Sequence, residues 1–136
     1  MKTWQILILG LAIAMAVVAP AALGQKAAAP AVPKYDKSAE ALFKGTVEDV
    51  HDRQCPVSGG MGSHLTLKQP DGSLIEVHLA LTKFFRQYEL VFQKGDVVEV
   101  TGVRVKFEGA DTIFARKIKR RDDEFLFRDG DGKPLW

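Results

Sequence analysis

"KGDVVEVTGVRVKF", residues 94–107, is the stretch whose reading decides the fold. Val98 and Val100 share one parity, whereas Val103, Val105 and Phe107 share the other. A regular strand turns successive side chains to opposite faces, so these five would be split between core and solvent. A bulge at Gly102 returns all five to one side, and such bulges bend strands around the corners of closed sheets. The stretch therefore predicts a turn at Lys94-Gly95-Asp96 feeding one long, coiled strand.

Outward from it the chain alternates short strands with turn signals. "SAEALF" allows one helical turn before a first strand, Phe43–Val50, with Phe43, Val47 and Val50 as core candidates. The glycine-rich stretch "CPVSGGMGSH" (55–64) follows as a loop. "HLTLK" and "LIEVHL" then show the period-two alternation of half-buried strands. In "ALTKFFRQYELVF" the period changes: Leu81, Phe84, Phe85, Tyr88, Val91 and Phe92 recur at helical spacing and predict one apolar helix face. After the long strand, "EGAD" turns into the strand "TIFARKIK", and "EFLF" with the "DGDGK" turn ends the pattern.

Three strands, a helix and two or more further strands make an all-β chain with one helix. The order is that of a small five-stranded OB-fold barrel with a helix between strands 3 and 4. "FKGTVEDV", the "PDG" hairpin, the helix and "KGDVVEVTGVRV" together resemble an OB-fold domain over roughly residues 40 to 120. With the leader described next, the chain is similar to exported bacterial OB-fold proteins linked to stress tolerance. That resemblance implies a fold and leaves function to be argued from the site.

Lys2 followed by the apolar run Ile6–Val18 and then by small residues describes a secretory signal peptide, cleaved after Ala22-Leu23-Gly24. An apolar run of 13 residues is shorter than the ~20 a spanning helix needs. The expected organisation is a signal peptide at 1–24, an Ala/Pro-rich tether at 25–34 and an OB-fold domain at 35–136, in a periplasmic or secreted protein with no membrane contact after cleavage. Without residues 1–24 there remain 112 residues with 18 basic and 17 acidic side chains. That balance offers no clustered basic footprint for nucleic acid. The run Lys117, Lys119, Arg120 and Arg121 is answered at once by Asp122, Asp123 and Glu124, and reads as a solvated strand end.

The turn between the two central strands sets their register. A two-residue Asp71-Gly72 loop would place Leu65 and Leu67 opposite His78 and Glu76. A three-residue loop, Pro70-Asp71-Gly72, suits proline at the first turn position and glycine at the left-handed closing one. Leu67 then faces Ile75 and Leu65 faces Val77, all toward the core. By the same register His64 lies directly opposite His78, on the outer face, with β-carbons ~4.5–5.5 Å apart.

All three histidines (His51, His64, His78), the only cysteine and Met61 lie within residues 51–78, a quarter of the chain that follows the leader. Folding the glycine-rich loop back over the histidine pair would bring Cys55 and Met61 to it. Two imidazoles, a thiolate and a thioether form a soft ligand set favouring copper. Zinc accepts the first three and has little use for the fourth. Cys55, Met61, His64 and His78 are the metal-site candidates. Against them stands the ordinary reading, in which a strand histidine faces solvent and a lone cysteine is a small buried apolar group.

Other motifs carry less. Cys55-Pro56 resembles the Cys-Pro pairs of haem-responsive proteins, which keeps haem as a minor alternative, while the absence of Cys-x-x-Cys-His excludes ordinary c-type attachment. "DGDGK" has Lys133 at the third ligand position of a calcium loop, and "SGGMGSH" lacks the lysine of a phosphate loop. With no nucleophile–base–carboxylate pattern on one surface, the expectation is a binding module rather than an enzyme. The rival expectation is a metal-free module that binds an oligosaccharide, a nucleic acid or a protein partner. "HLTLK" and "LIEVHL" carry no aromatic on which a base could stack, which counts against nucleic acid.

Overall fold

The computed structural model describes Gly24 and residues 31–136. The predicted signal peptide, apart from Gly24, and residues 25–30 of the predicted tether lie outside the described residues. A 3-10 turn at Lys37–Ala39, capped by Asp36, leads into six strands. These are β1 (Ala41–Cys55), β2 (Gly60–Lys68), β3 (Leu74–Leu81), β4 (Val97–Phe107), β5 (Ala110–Arg120) and β6 (Asp123–Leu126), with one helix, α1 (Thr82–Gln87), between β3 and β4.

Strand neighbours run β3-β2-β1-β4-β5-β6, and a parallel β3–β5 pairing closes the first five strands into a ring. This is the five-stranded plan with a helix after the third strand that the sequence predicts. The register of the β4–β5 ladder shifts between Thr101 and Gly102, where the bulge is expected. A β-carbon on Gly102 would collide with the Phe114 carbonyl, so only glycine lets the two strands approach this closely there. The bulge does not gather all five residues into one core, however. Val98 and Val100 join the main core, while Val103, Phe107 and the partly buried Val105 pack in a second cluster with Cys55 and Phe114.

The hairpin follows the predicted three-residue loop. The amide of Gly72 donates to the Gln69 carbonyl at 2.9 Å, Gly72 is left-handed at φ 85°, and Lys68 pairs with Leu74. Leu65, Leu67, Ile75 and Val77 are buried in the main core with Leu79, Ile113, Ile118 and Phe127.

Two elements depart from expectation. Only Thr82–Gln87 is helical, because the left-handed Glu89 (φ 52°) ends the turn. Phe85 and Phe92 are buried, but Tyr88 and Val91 are exposed. The first strand runs five residues beyond Val50, and Val50 itself is exposed. Its ladder with β2 slips between Val47 and Asp49, so beyond that bulge the facing alternation is reset. The segment 55–64 is thus no long loop. Only Pro56–Gly59 forms the turn between β1 and β2, and Cys55 pairs with Gly60.

Candidate metal centre

The reset alternation in β1 decides what the outer face of the hairpin becomes. His51, Arg53 and Cys55 pair with His64, Gly62 and Gly60 of β2, and His64 in turn pairs with His78 of β3. The three histidines form one row across three adjacent strands. The His64–His78 register is the one the turn predicts.

Their exposure is not. Both rings are buried, at 0% and 1% exposed, rather than facing outward. The end of the β1–β2 hairpin curls over the second apolar cluster, where Cys55 and Val57 meet Val103, Phe107 and Phe114. Phe114 and Trp136 then close over His78, each with its ring centroid 5.8 Å away.

Inside this cover the ligating atoms of Cys55, His64 and His78 all lie within 4.8 Å of one another. Around a single ion with bonds of roughly 2.0 Å to nitrogen and 2.3 Å to sulfur, such atoms sit about 3.3–3.8 Å apart. Gly62 forms the floor. A β-carbon there would collide with Ser58 Oγ and lie 3.2 Å from His64 Nε2 and 3.3 Å from Cys55 Cβ. Ser58 Oγ also lies 2.9 Å from His78 Nε2.

The polar balance of this cup is unusual. Four buried side-chain polar atoms among the described residues have no hydrogen-bond partner, and three are ring nitrogens of His64 and His78. Leaving such groups unmade costs about 1–3 kcal/mol each. The fourth is Arg128 Nε, whose guanidinium stacks on Trp136 and Tyr35. His64 Nδ1 does lie 2.7 Å from Glu76 Oε1, but its N–H is poorly aligned with that oxygen. The contact is electrostatic rather than a well-aligned hydrogen bond. Glu76 is further held by Arg53 Nε at 3.0 Å, and His64 followed by Arg53 keeps its carboxyl down at about 2. Burial, then the electrostatic influence of His64, Arg128 and Arg53, drives His78 down to about 3, so its ring is neutral, with Nε2 on Ser58 Oγ and Nδ1 without a partner.

Of the four sequence-predicted ligands the structure brings together Cys55, His64 and His78. Met61 is not with them. It pairs with Gln54 on the opposite face of the hairpin and is 43% exposed. The expectation that a folded-back loop would deliver Met61 fails because that segment is strand, and its position has the wrong parity.

Two neighbours were not among the predicted ligands. His51 and Glu76 form a second potential ligand group with His64, half-buried where the first is buried. "HDRQC" continuing the strand is the signal that would have found His51, since positions 51, 53 and 55 then share a face with His64. "DGDGK" is a turn: Asp129 Oδ1 accepts from the amides of Asp131 and Lys133.

All of these ligand positions fall within residues 40–125, the span over which the chain matches the model of the MamS/MamX magnetosome protein family. The chain belongs to that family. No curated protein matches it. The likeness to stress-tolerance proteins is not among what the matches support. Among the described residues of this magnetosome-family chain, no helix is long and apolar enough to cross a membrane.

Proposed function

We propose that this chain is an exported, non-enzymatic binding module of the magnetosome family that holds one soft transition-metal ion between Cys55, His64 and His78. The observation that carries the reading is a buried pair of imidazoles with unsatisfied nitrogens converging, with the only thiol, on a cup floored by Gly62. A satisfied core histidine would have no such orphans. Two imidazoles and a thiolate in three-fold array are the inventory of trigonal copper sites, whereas zinc prefers a fourth ligand. Copper is therefore the favoured ion. Glu76 beside His64 is the carboxylate that orients a ligating imidazole in many metal sites. The expected export to an oxidising compartment fits a thiol kept out of solvent.

The test is anaerobic titration of the reduced protein with Cu(I) against a chromophoric chelator, with elemental analysis of the product. One tightly held equivalent is expected, with zinc weaker. Cys55→Ser should lower affinity by roughly 100-fold or more, beyond the 10–100-fold seen for outer-shell partners. Parent protein that retains no stoichiometric metal would end the reading.

A second reading, a metal-free module for a protein or oligosaccharide partner, draws on a different region. Phe84, Tyr88, Leu90, Phe125, Leu126 and Leu135 line a groove of about 500 Å³ beside α1 and β6. It becomes the leading account if the titration fails.

A further inference from the structure

The buried cup has no solvent-exposed ligand of its own, yet its His64 is shared. The Nε2 edge of the ring faces Gly62 and Cys55, and the Nδ1 edge faces Glu76. On that second side His51 stacks on His64 with centroids 5.7 Å apart and planes 16° from parallel. His51 Nε2 lies 3.6 Å from Glu76 Oε1, and the ligand atoms of His51, His64 and Glu76 all fall within 4.8 Å of one another.

We propose that His51, Glu76 and the Nδ1 edge of His64 form a second, solvent-reachable cation site through which the buried cup is loaded. The loading role rests on the proposed metal reading of the cup; the existence of the outer site does not. Three observations carry it. His51 and Glu76 side chains are 35% and 29% exposed, whereas His64 is buried, so the histidine row leads from solvent inward. Asp49 Oδ2 lies 3.1 Å from His51 Nδ1, and the tautomer that contact favours leaves the lone pair on Nε2, 3.6 Å from Glu76 Oε1. His64 Nδ1 is buried, has no aligned hydrogen-bond partner and lies 2.7 Å from the same carboxylate oxygen.

Arg53 is the competing cation, 3.0 Å from Glu76 Oε1. It has a second acidic partner, Glu108 Oε2 at 3.2 Å, and so can yield Glu76 without being left unpaired. Two imidazoles and a carboxylate suit a borderline divalent ion of the first transition row.

Sharing His64 imposes an order. A neutral imidazole offers one lone pair at a time. With an ion outside, Nδ1 ligates and Nε2 carries the proton. With the ion inside, Nε2 and the Cys55 thiolate ligate, and the proton sits on Nδ1 beside Glu76. The carboxylate thus changes from metal ligand to hydrogen-bond acceptor as the ion moves in, the ring proton passes from Nε2 to Nδ1, the Cys55 thiol releases its proton to solvent, and the two sites compete for one ring.

Cobalt(II) separates the two sites, because a thiolate-to-cobalt absorption band arises only when the ion reaches Cys55. In stopped-flow mixing, His51→Ala should slow the growth of that band at least tenfold. Unchanged growth would overturn the loading role. Equilibrium dialysis of Cys55→Ser, with folding checked by circular dichroism, isolates the outer site. It should retain about one weaker equivalent of cobalt, which Cys55→Ser/His51→Ala loses. A Cys55→Ser protein that binds none, or binds equally with and without His51, overturns the outer site. A parent protein with no band refutes the cup and with it the loading role, and the Cys55→Ser result still decides the outer site alone.

Discussion

Two polar clusters lie partly or wholly inside this small ring of strands, and they are built on opposite terms. Before β1, Glu40 accepts from Arg116 Nε at 2.8 Å and Nη2 at 2.7 Å, and from the Tyr35 hydroxyl at 2.7 Å. Both carboxylate oxygens are used and the guanidinium is gripped bidentately, which fastens the chain leading into β1 onto β5. In the histidine row, 0–1% exposed rings keep nitrogens without hydrogen-bond partners. One cluster satisfies its own polar groups; the other leaves ring nitrogens without partners. A buried polar group is informative about function when its partners are missing, and about architecture when they are all present.

Acid separates the clusters most strongly. His78 is neutral in the fold and held at about 3 by burial and nearby positive charge, against 6.5 for an ordinary histidine. Between those values the unfolded chain takes up a proton that the folded chain refuses, so stability is full above pH 6.5 and falls as pH drops. Glu40 is held at about 2, first by its Arg116 hydrogen bonds, against an ordinary 4.5. Its contribution is present above pH 4.5 and is lost as pH falls toward 2. Metal-free protein should therefore lose up to about 2 kcal/mol between pH 6.5 and 4.5 from the histidine row alone. Glu40 and Glu76 add to the loss below that. Urea midpoints across this range check the prediction, and a flat profile from 6.5 to 4.5 would show that His78 is not buried neutral.

Substitution should invert the ordinary ranking of residues. Arg116→Met leaves Glu40 and the Tyr35 hydroxyl in a mostly buried place with the cation gone. A loss of about 2 kcal/mol in denaturant unfolding is expected, between exposed and buried pairs, with metal affinity unchanged. His78→Leu replaces an orphaned ring by an apolar side chain in a site covered by Phe114 and Trp136. Metal-free stability should hold or rise by about 1 kcal/mol, the acid sensitivity between pH 6.5 and 4.5 should flatten, and tight binding in the cup with Cys55 should vanish. Equal destabilisation by the two substitutions would dissolve the contrast.

The sequence made these regions legible to different degrees. The Pro70-Asp71-Gly72 turn fixes the β2–β3 register, and with it the pairing of His64 with His78. Gly102 marks the bulge that bends β4. Both are local effects of backbone chemistry, visible in a few residues. The slip after Val47 carries no glycine or proline to announce it, so the continuation of β1 through the polar "HDRQC" could not be read. From that one omission follow the exposure wrongly expected for the histidines, the missed His51 and the misplaced Met61; the hairpin register does place Glu76 beside the pair, though not as a ligand. The cover over His78 comes from Phe114 and Trp136, which are 36 and 58 residues further along the chain. Periodicity within a hairpin does not report on partners so remote.

Met61→Leu has the smallest expected effect and is the sharpest check on the face assignment. Met61 pairs with Gln54, opposite in parity to Cys55, Gly62 and His64, and is substantially exposed. Leucine keeps the volume and apolar character while removing the sulfur, so stability should move by less than about 0.5 kcal/mol. Copper affinity should stay within about twofold of the parent, because no ligand is lost; a real thioether ligand would contribute measurably to a Cu(I) site. A clear loss of affinity with stability intact would mean that β2 re-pairs on loading, bringing residue 61 to the inner face. A one-residue slip of the β1–β2 hairpin would do that, and it would carry His64 out of the cup at the same time. Since Met61 and His64 have opposite parity in a regular strand, the two cannot serve one ion from the same β2 face. The small effect expected of Met61→Leu is therefore the same statement as the burial of His64.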